Sequence, residues 1–232
     1  TTMSSPHNGT TLSDIVTKSA PFLQDFIGLA AVINNRFYSF DLEQWGFKRN
    51  DKESWSRYFT RIKGHPAWGT RNFCSWDLSI EGARQLNTLA VANKNIYYFS
   101  FATSNTHLDS LSGKHVPNKD MSLILRPNAR AMGKKIDYWE DSTSTDSTWF
   151  ENDGIVNTIS MIAPTSGLNG PDLIKEYHRN EILVSGVWYY MGKLTMDHRT
   201  LMGHGNISDE SLNSILLLFK EHAEKLYALP SF

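Results

Sequence analysis

Apolar positions along this chain fall into a few distinct periods. Residues 12–34 are helix-compatible, with Ile15, Phe22, Phe26, Leu29, Val32 and Ile33 apolar and Pro21 breaking or starting a helix between them. From Phe22 onward more than one face is apolar, which suits either a buried core helix or a lid over a greasy site. Residues 53–63 place Trp55, Tyr58, Phe59 and Ile62 at helical spacing, and residues 79–92 do the same with Ile80, Ala83, Leu86 and Ala90. Residues 95–103 change period. They are β-branched and aromatic, and predict a strand. Residues 104–148 are long, polar and poor in periodicity, and a segment of that kind inside a domain is usually functional or mobile.

Further along, the turn Glu151-Asn152-Asp153-Gly154 feeds a second apolar run, and residues 157–163 are expected as a strand. The two expected strands are near-continuous apolar runs with room for a crossover between them, so they should pair side by side in parallel. Residues 164–184 predict a loop and 186–192 are aromatic. A last amphipathic helix is expected behind Ser208, with Leu212, Ile215, Leu216, Phe219, Ala223 and Leu226 on one stripe. The first residues, up to Ser5, fit the end of a strand, followed by a turn over residues 6–11. The strand at 95–103 follows the helix at 79–92 after a short link, one βα-type alternation, and the chain shows no internal repeat or dividing linker.

Composition narrows this picture. With 23 Lys+Arg against 24 Asp+Glu the net charge is −1, which offers no phosphate-binding surface and argues against nucleic acid as a partner. No apolar run approaches the roughly 20 residues of a transmembrane helix, and none resembles a leader at the start of the chain. A single cysteine, Cys74, rules out an intrachain disulfide. Asn8-Gly9-Thr10 and Asn206-Ile207-Ser208 have the form of N-glycosylation sites.

Candidate chemistry centres on Asp153 and His198. An acid followed later by a histidine is the end of the Ser…Asp…His chain order. Such an acid must be held rigidly and must accept from the ring nitrogen of the histidine. The alternatives are an Asx-turn carboxylate at Asp153 and a surface histidine at His198. His107 with His115, or His198 with His204, lack a third partner at metal-ligand spacing, and no Cys-x-x-Cys is present. There is no Gly-x-x-x-x-Gly-Lys, no Gly-x-Gly-x-x-Gly and no Gly-x-Ser-x-Gly.

Several motifs, in order, carry a resemblance. They are Pro6-His7-Asn8-Gly9-Thr10-Thr11, Glu43-Gln44-Trp45-Gly46, Trp76-Asp77-Leu78-Ser79 with Gly82-Ala83-Arg84-Gln85-Leu86-Asn87, Glu151-Asn152-Asp153-Gly154-Ile155-Val156-Asn157, Gly186 to Gly192, and Met196-Asp197-His198. With these the chain resembles the C-terminal half of secreted bacterial triacylglycerol lipases of the thermophilic-bacillus and staphylococcal type, which are α/β-hydrolases. The resemblance implies that residues 1–232 are the C-terminal portion of one α/β-hydrolase domain, a mostly parallel sheet with flanking helices and a lid-like region at about 12–34. It implies Asp153 as triad acid and His198 as triad histidine. Glu43 matches an aspartate that binds a structural zinc in the family, so zinc is implied there. The two carboxylates of the family's calcium site correspond to Thr200 and Gly205, which argues against calcium, although Asp109, Asn206 and Asp209 remain as oxygen ligands nearby.

The nucleophile elbow and oxyanion donor of the family lie N-terminal to its Pro-His motif. The resemblance therefore implies a companion N-terminal chain or segment that carries the serine, an acylglycerol-type ester or lipid substrate, and an extracellular location. On that reading the chain alone is not active. The alternative is a lipase-like binding or structural protein that has lost its nucleophile.

Overall fold

The structure is a computed structural model that describes residues 1–18, 48–66, 71, 74–138, 144–165, 173–204 and 207–230. In chain order these form β1 (Thr2–Met3), α1 (Thr11–Lys18), α2 (Trp55–Lys63), α3 (Cys74–Asp77), α4 (Ile80–Leu89), β2 (Tyr98–Ser104), β3 (Thr106–Asp109), β4 (Lys114–Pro117), α5 (Arg126–Met132), β5 (Ile174–Glu176), β6 (Trp188–Thr195), α6 (His198–Leu201) and α7 (Asp209–Tyr227). Two short 3-10 turns, Ser147–Trp149 and Thr158–Met161, lie between α5 and β5. Of the expected 12–34 helix, α1 is described and the remainder lies outside the described residues, as does Glu43.

One four-stranded sheet in the order β1-β2-β6-β5 organises the chain, and every pairing in it is parallel. β2 is its centre and is buried from Phe99 to Ser104. Aromatic and small residues alternate along this strand and divide the core. Phe99 and Phe101 meet the ring of His222 from α7, edge to face, at 5.4 and 5.0 Å between centroids. On the other side Ala102 packs with Val156 and Met161, and Ser100 Oγ donates to the Ile162 carbonyl. Val187 and Tyr189 of the neighbouring chain segment complete the cluster around Phe99.

Residues 157–163 do not form the expected strand. Both edges of β2 are already taken, by β1 and by β6, so no edge is left for a third partner. The run closes on itself instead. Ser160 N–H bonds the Asn157 carbonyl at 2.9 Å, and Thr158 N–H bonds the Glu151 carbonyl at 2.9 Å. Its apolar side chains face the sheet without joining it. The true neighbour of β2 is β6, part of which the sequence marks only as aromatic. The polar stretch 104–148 is also more ordered than expected, since it holds the β3–β4 hairpin and α5.

Two helices begin as their sequences dictate. The Ser79 hydroxyl accepts from Gly82 N–H at 3.0 Å, and the Ser208 hydroxyl accepts from Ser211 N–H at 3.2 Å. The stripe on α7 is only partly covered: Ile215 is 5 % exposed, whereas Leu216 is 57 % exposed and Leu212, Phe219 and Leu226 are also in solvent.

The turn at residues 6–11 is locked onto the 151–165 segment. Asn8 N–H bonds Ser160 Oγ at 2.9 Å, and Ser160 Oγ donates to the Gly9 carbonyl at 2.6 Å. Thr10 Oγ1 donates to the Ile155 carbonyl at 2.7 Å, and Thr11 N–H bonds Asn157 Oδ1 at 2.9 Å. Asn8 is buried, and its side-chain amide donates to the Ala163 carbonyl at 2.8 Å. A glycan on Asn8 is incompatible with this packing, while Asn206 lies outside the described residues.

Candidate active site

Asp153 and His198 come together at the end of β2 and β6. The acid sits in a tight turn closed by a bridge between Asn152 and Asn157, with Asp153 N–H on the Val156 carbonyl at 3.1 Å. Asn105, just past β2, holds this turn against the sheet through its N–H to the Asn152 carbonyl at 3.1 Å. The turn therefore takes its position from the end of β2, and no strand of its own precedes it. His198 opens α6, two residues after Met196 leaves β6, and its backbone N–H bonds the Asp153 carbonyl at 3.2 Å.

The side chains meet at 2.9 Å, His198 Nδ1 to Asp153 Oδ2. Asp153 is 0 % exposed, and its other contacts are donors. Oδ1 accepts from the N–H groups of Ile155 at 2.9 Å and Val156 at 2.8 Å. Oδ2 also accepts from Thr103 Oγ1 at 2.7 Å. Four donors on two oxygens is an arrangement that an ionised carboxylate, an acceptor at both oxygens, satisfies fully. The bond to Nδ1 fixes which nitrogen carries the ring proton, and it leaves Nε2 as the basic atom. The His198 side chain is 27 % exposed, and among the described residues no side chain bonds its Nε2.

Asp197 steadies α6 from the other side. It is buried, and one carboxylate oxygen accepts from Thr200 N–H at 2.8 Å and Thr200 Oγ1 at 2.9 Å. The other accepts from Ser122 N–H at 2.7 Å, which ties the helix of His198 to the loop before α5. The sequence marks Asp197 only as part of the Met196-Asp197-His198 motif and passes over Thr103 as a site residue. The visible signal for Thr103 is its place at the end of the predicted strand, where a polar side chain closes an apolar run.

Burial of His198 opposes its charged form, but the hydrogen bond it donates to Asp153, the charge of Asp153 and that of Asp197 outweigh it and raise the pKa above 6.5. Three other buried or partly buried histidines move the other way. Burial, with the N-terminal ammonium, pushes His7 down to about 4, and burial leads the lowering at His115 and His222. His198 thus contributes stability that is fully present below its ordinary value of 6.5 and is lost as pH rises through the raised value. Asp153→Asn removes the charge and leaves burial in place, so the titration of His198 followed by NMR should fall. A pKa that stays raised in that variant would show that Asp153 is not the cause.

A profile of the lipase-like C-terminal domain family matches residues 1–206 of this chain. The chain belongs to that family. Lipase from Staphylococcus hyicus is 30% identical over 208 residues, which is 88% of this chain and 30% of the relative, and a lipase of Staphylococcus epidermidis is 31% identical over 166 residues, 71% of this chain and 23% of the relative. Among solved structures, EstA from Clostridium botulinum superposes with a TM-score of 0.70 at 33% identity, over 92% of this chain and 52% of EstA. The Staphylococcus hyicus lipase structure superposes with a TM-score of 0.73 at 25% identity, over 98% of this chain and 58% of that one. This lipase-like chain therefore spans less than a third of the curated relatives it matches and a little over half of the solved ones.

Among the described residues of the lipase-like domain, no group of three His, Cys, Asp or Glu side chains gathers to hold a metal ion. The Thr200 hydroxyl donates to Asp197 at 2.9 Å. Asp109 turns inward on its own loop, accepting from Ser112 Oγ at 2.6 Å. Among the described residues, no helix is long and apolar enough to cross a membrane.

Proposed function

We propose that this chain supplies the acid and the histidine of an extracellular carboxylic ester hydrolase of the triacylglycerol-lipase type. The nucleophilic serine then belongs to an N-terminal segment or companion chain. One observation carries the reading: a solvent-accessible imidazole bonded through Nδ1 to a buried carboxylate that itself receives three further hydrogen bonds. Such a pair suits general base catalysis.

In the reaction, His198 Nε2 takes the serine hydroxyl proton as the serine oxygen attacks the ester carbonyl. The tetrahedral intermediate collapses, the C–O bond to the alcohol breaks, and His198 returns the proton to the departing alkoxide. Water then attacks the acyl carbonyl as it loses a proton to Nε2, the bond from the acyl carbon to the serine oxygen breaks, and Nε2 returns the proton to that oxygen as the acid is released. Asp153 holds the ring in the required tautomer and offsets the charge on the imidazolium. Exposed Leu123 and Ile124 follow Ser122, whose N–H is held by Asp197. With the exposed Met202 at the end of α6, they are apolar side chains in solvent on the segments that adjoin Asp197 and His198, and on this reading they are candidates to meet an acyl chain. A structural zinc with Glu43 as one carboxylate belongs to the same reading, and no step runs through it.

The exposed stripe on α7 supports a missing companion, because four large apolar side chains on one helix are more than a solvent face needs. The test is to isolate the native complex that contains this chain and assay a short-chain p-nitrophenyl ester. The complex should turn the ester over and the 232-residue chain should not. Activity of the chain by itself would place a nucleophile within it. A native complex inert toward esters of every chain length tried would favour the non-catalytic alternative.

A further inference from the structure

Behind the acid stands a second pair of hydroxyls that plays no part in the reaction just described. Thr103 and Ser4 are both buried. Thr103 Oγ1 lies 2.7 Å from Asp153 Oδ2, and Ser4 Oγ lies 2.7 Å from Thr103 Oγ1. The direction of these bonds follows from proton supply. A threonine hydroxyl has one proton, and an ionised carboxylate can only accept. The other acceptors within reach are the Ser4 hydroxyl at 2.7 Å, which is neutral, and the thioether of Met161 at 3.4 Å, and both are weaker acceptors than a carboxylate. Thr103 therefore gives its proton to Asp153, and Ser4 gives its own to Thr103. The chain Ser4 to Thr103 to Asp153 to His198 runs in one direction from the end of β1 to the imidazole.

Two features set this chain apart from ordinary core hydroxyl contacts. Thr103 donates to Oδ2, the same oxygen that accepts from His198, while Oδ1 is held by two backbone N–H groups. The hydroxyl thus competes with the ring for one oxygen's charge. Ser4, moreover, reaches Thr103 from a left-handed backbone conformation, φ 52°, which a non-glycine residue adopts only where its surroundings impose it. Its N–H continues the β1–β2 pairing onto the Phe101 carbonyl at 3.0 Å, so the strained residue is fixed at both backbone and side chain.

We propose that Ser4 and Thr103 are positioning residues of the acid–histidine pair, a two-hydroxyl relay that sets how much of the Asp153 charge reaches His198. This rests on the reading of the chain as the acid–histidine part of an ester hydrolase. The charged groups acting on His198 are Asp153 and Asp197, and the relay touches only the first. Removing the Thr103 hydroxyl leaves Oδ2 wholly to the ring, which stabilises the imidazolium further. Removing the Ser4 hydroxyl depolarises Thr103 and acts in the same sense, more weakly.

The test is an NMR titration of His198 in the full 232-residue chain carrying Thr103→Val, Thr103→Ser or Ser4→Gly. Thr103→Val keeps the shape and deletes the donor. Ser4→Gly deletes the donor at a position whose positive φ glycine accepts readily, so it remains informative if the valine variant does not fold. The titration should move to higher pH in Thr103→Val, by less in Ser4→Gly, and return to the parent value in Thr103→Ser. In the native complex the acid limb of kcat/KM should move upward by the same amount. A His198 titration unchanged in both folded donor deletions, or moved to lower pH, overturns the relay. If the titration moves as expected but the native complex hydrolyses no ester, the relay stands and the hydrolase reading falls.

Discussion

Replacing His198 with alanine in the proposed serine-bearing complex is expected to lower kcat by about 10⁴- to 10⁶-fold with the fold intact. The loss is large because one nitrogen serves two proton transfers in each half of the reaction. Without Nε2 the serine attacks as a neutral hydroxyl, and the alkoxide leaves without a proton. The fold should survive because Asp153 keeps its three other donors, Thr103 Oγ1 and the N–H groups of Ile155 and Val156. Steady-state kinetics on the complex, with circular dichroism to confirm folding, measure both parts. Turnover equal to the parent would remove His198 from the mechanism.

The second large effect concerns the fold that presents this pair. Gly9→Ala should destabilise the chain by about 3–5 kcal/mol, from overpacking together with a conformation a side chain rarely adopts. Gly9 has φ +78°, and a Cβ there would lie 2.4 Å from the Ser79 carbonyl oxygen and 2.6 Å from its carbon. Both are backbone atoms at the start of α4, and the neighbouring Thr10 N–H is bonded to the Leu78 carbonyl at 2.8 Å, so neither side can retreat. Gly113→Ala is the control. Its φ is +65°, but a Cβ would meet nothing within 4 Å, so the cost should be only about 1–2 kcal/mol. Urea midpoints of the two variants measure the difference, and equal losses would mean that close packing at Gly9 is unimportant.

These two positions also show what the sequence could and could not convey. The pairing of Asp153 with His198 was legible because each lies in a local motif. Asp153 and Gly154 lie in one turn, Asp197 and His198 are adjacent, and the motifs around both mark a lipase-like chain. Residues 98–104 were legible as a strand, because aromatic and β-branched side chains suit a buried pleated surface. Residues 157–163 carry a similar run and became a 3-10 turn, since what decided the matter was competition for the edges of β2. Met3 and Tyr189, far away in the chain, won those edges, and no local pattern announces that. The β3–β4 hairpin was hidden for a related reason. Leu108 and His107 are exposed, so that strand shows no apolar alternation. Thr103 escaped notice because its hydroxyl acquires meaning only once Asp153 is folded against it.

The lock between residues 6–11 and 151–165 bears on how this domain can be recombined. The start of α1 and the turn of the acid are stapled by Thr10 on Ile155 and Thr11 on Asn157. They are a single transplantable block although some 140 residues separate them. A chimera that borrows the region of α1 from one of the related lipases imports half of this staple and leaves the other half behind. The donor's hydroxyls must then find the host's Ile155 carbonyl and Asn157 amide, or the acid shifts along with the graft. Shuffling libraries with crossovers between residues 11 and 151 should therefore yield folded members mainly where both halves of the staple come from one parent.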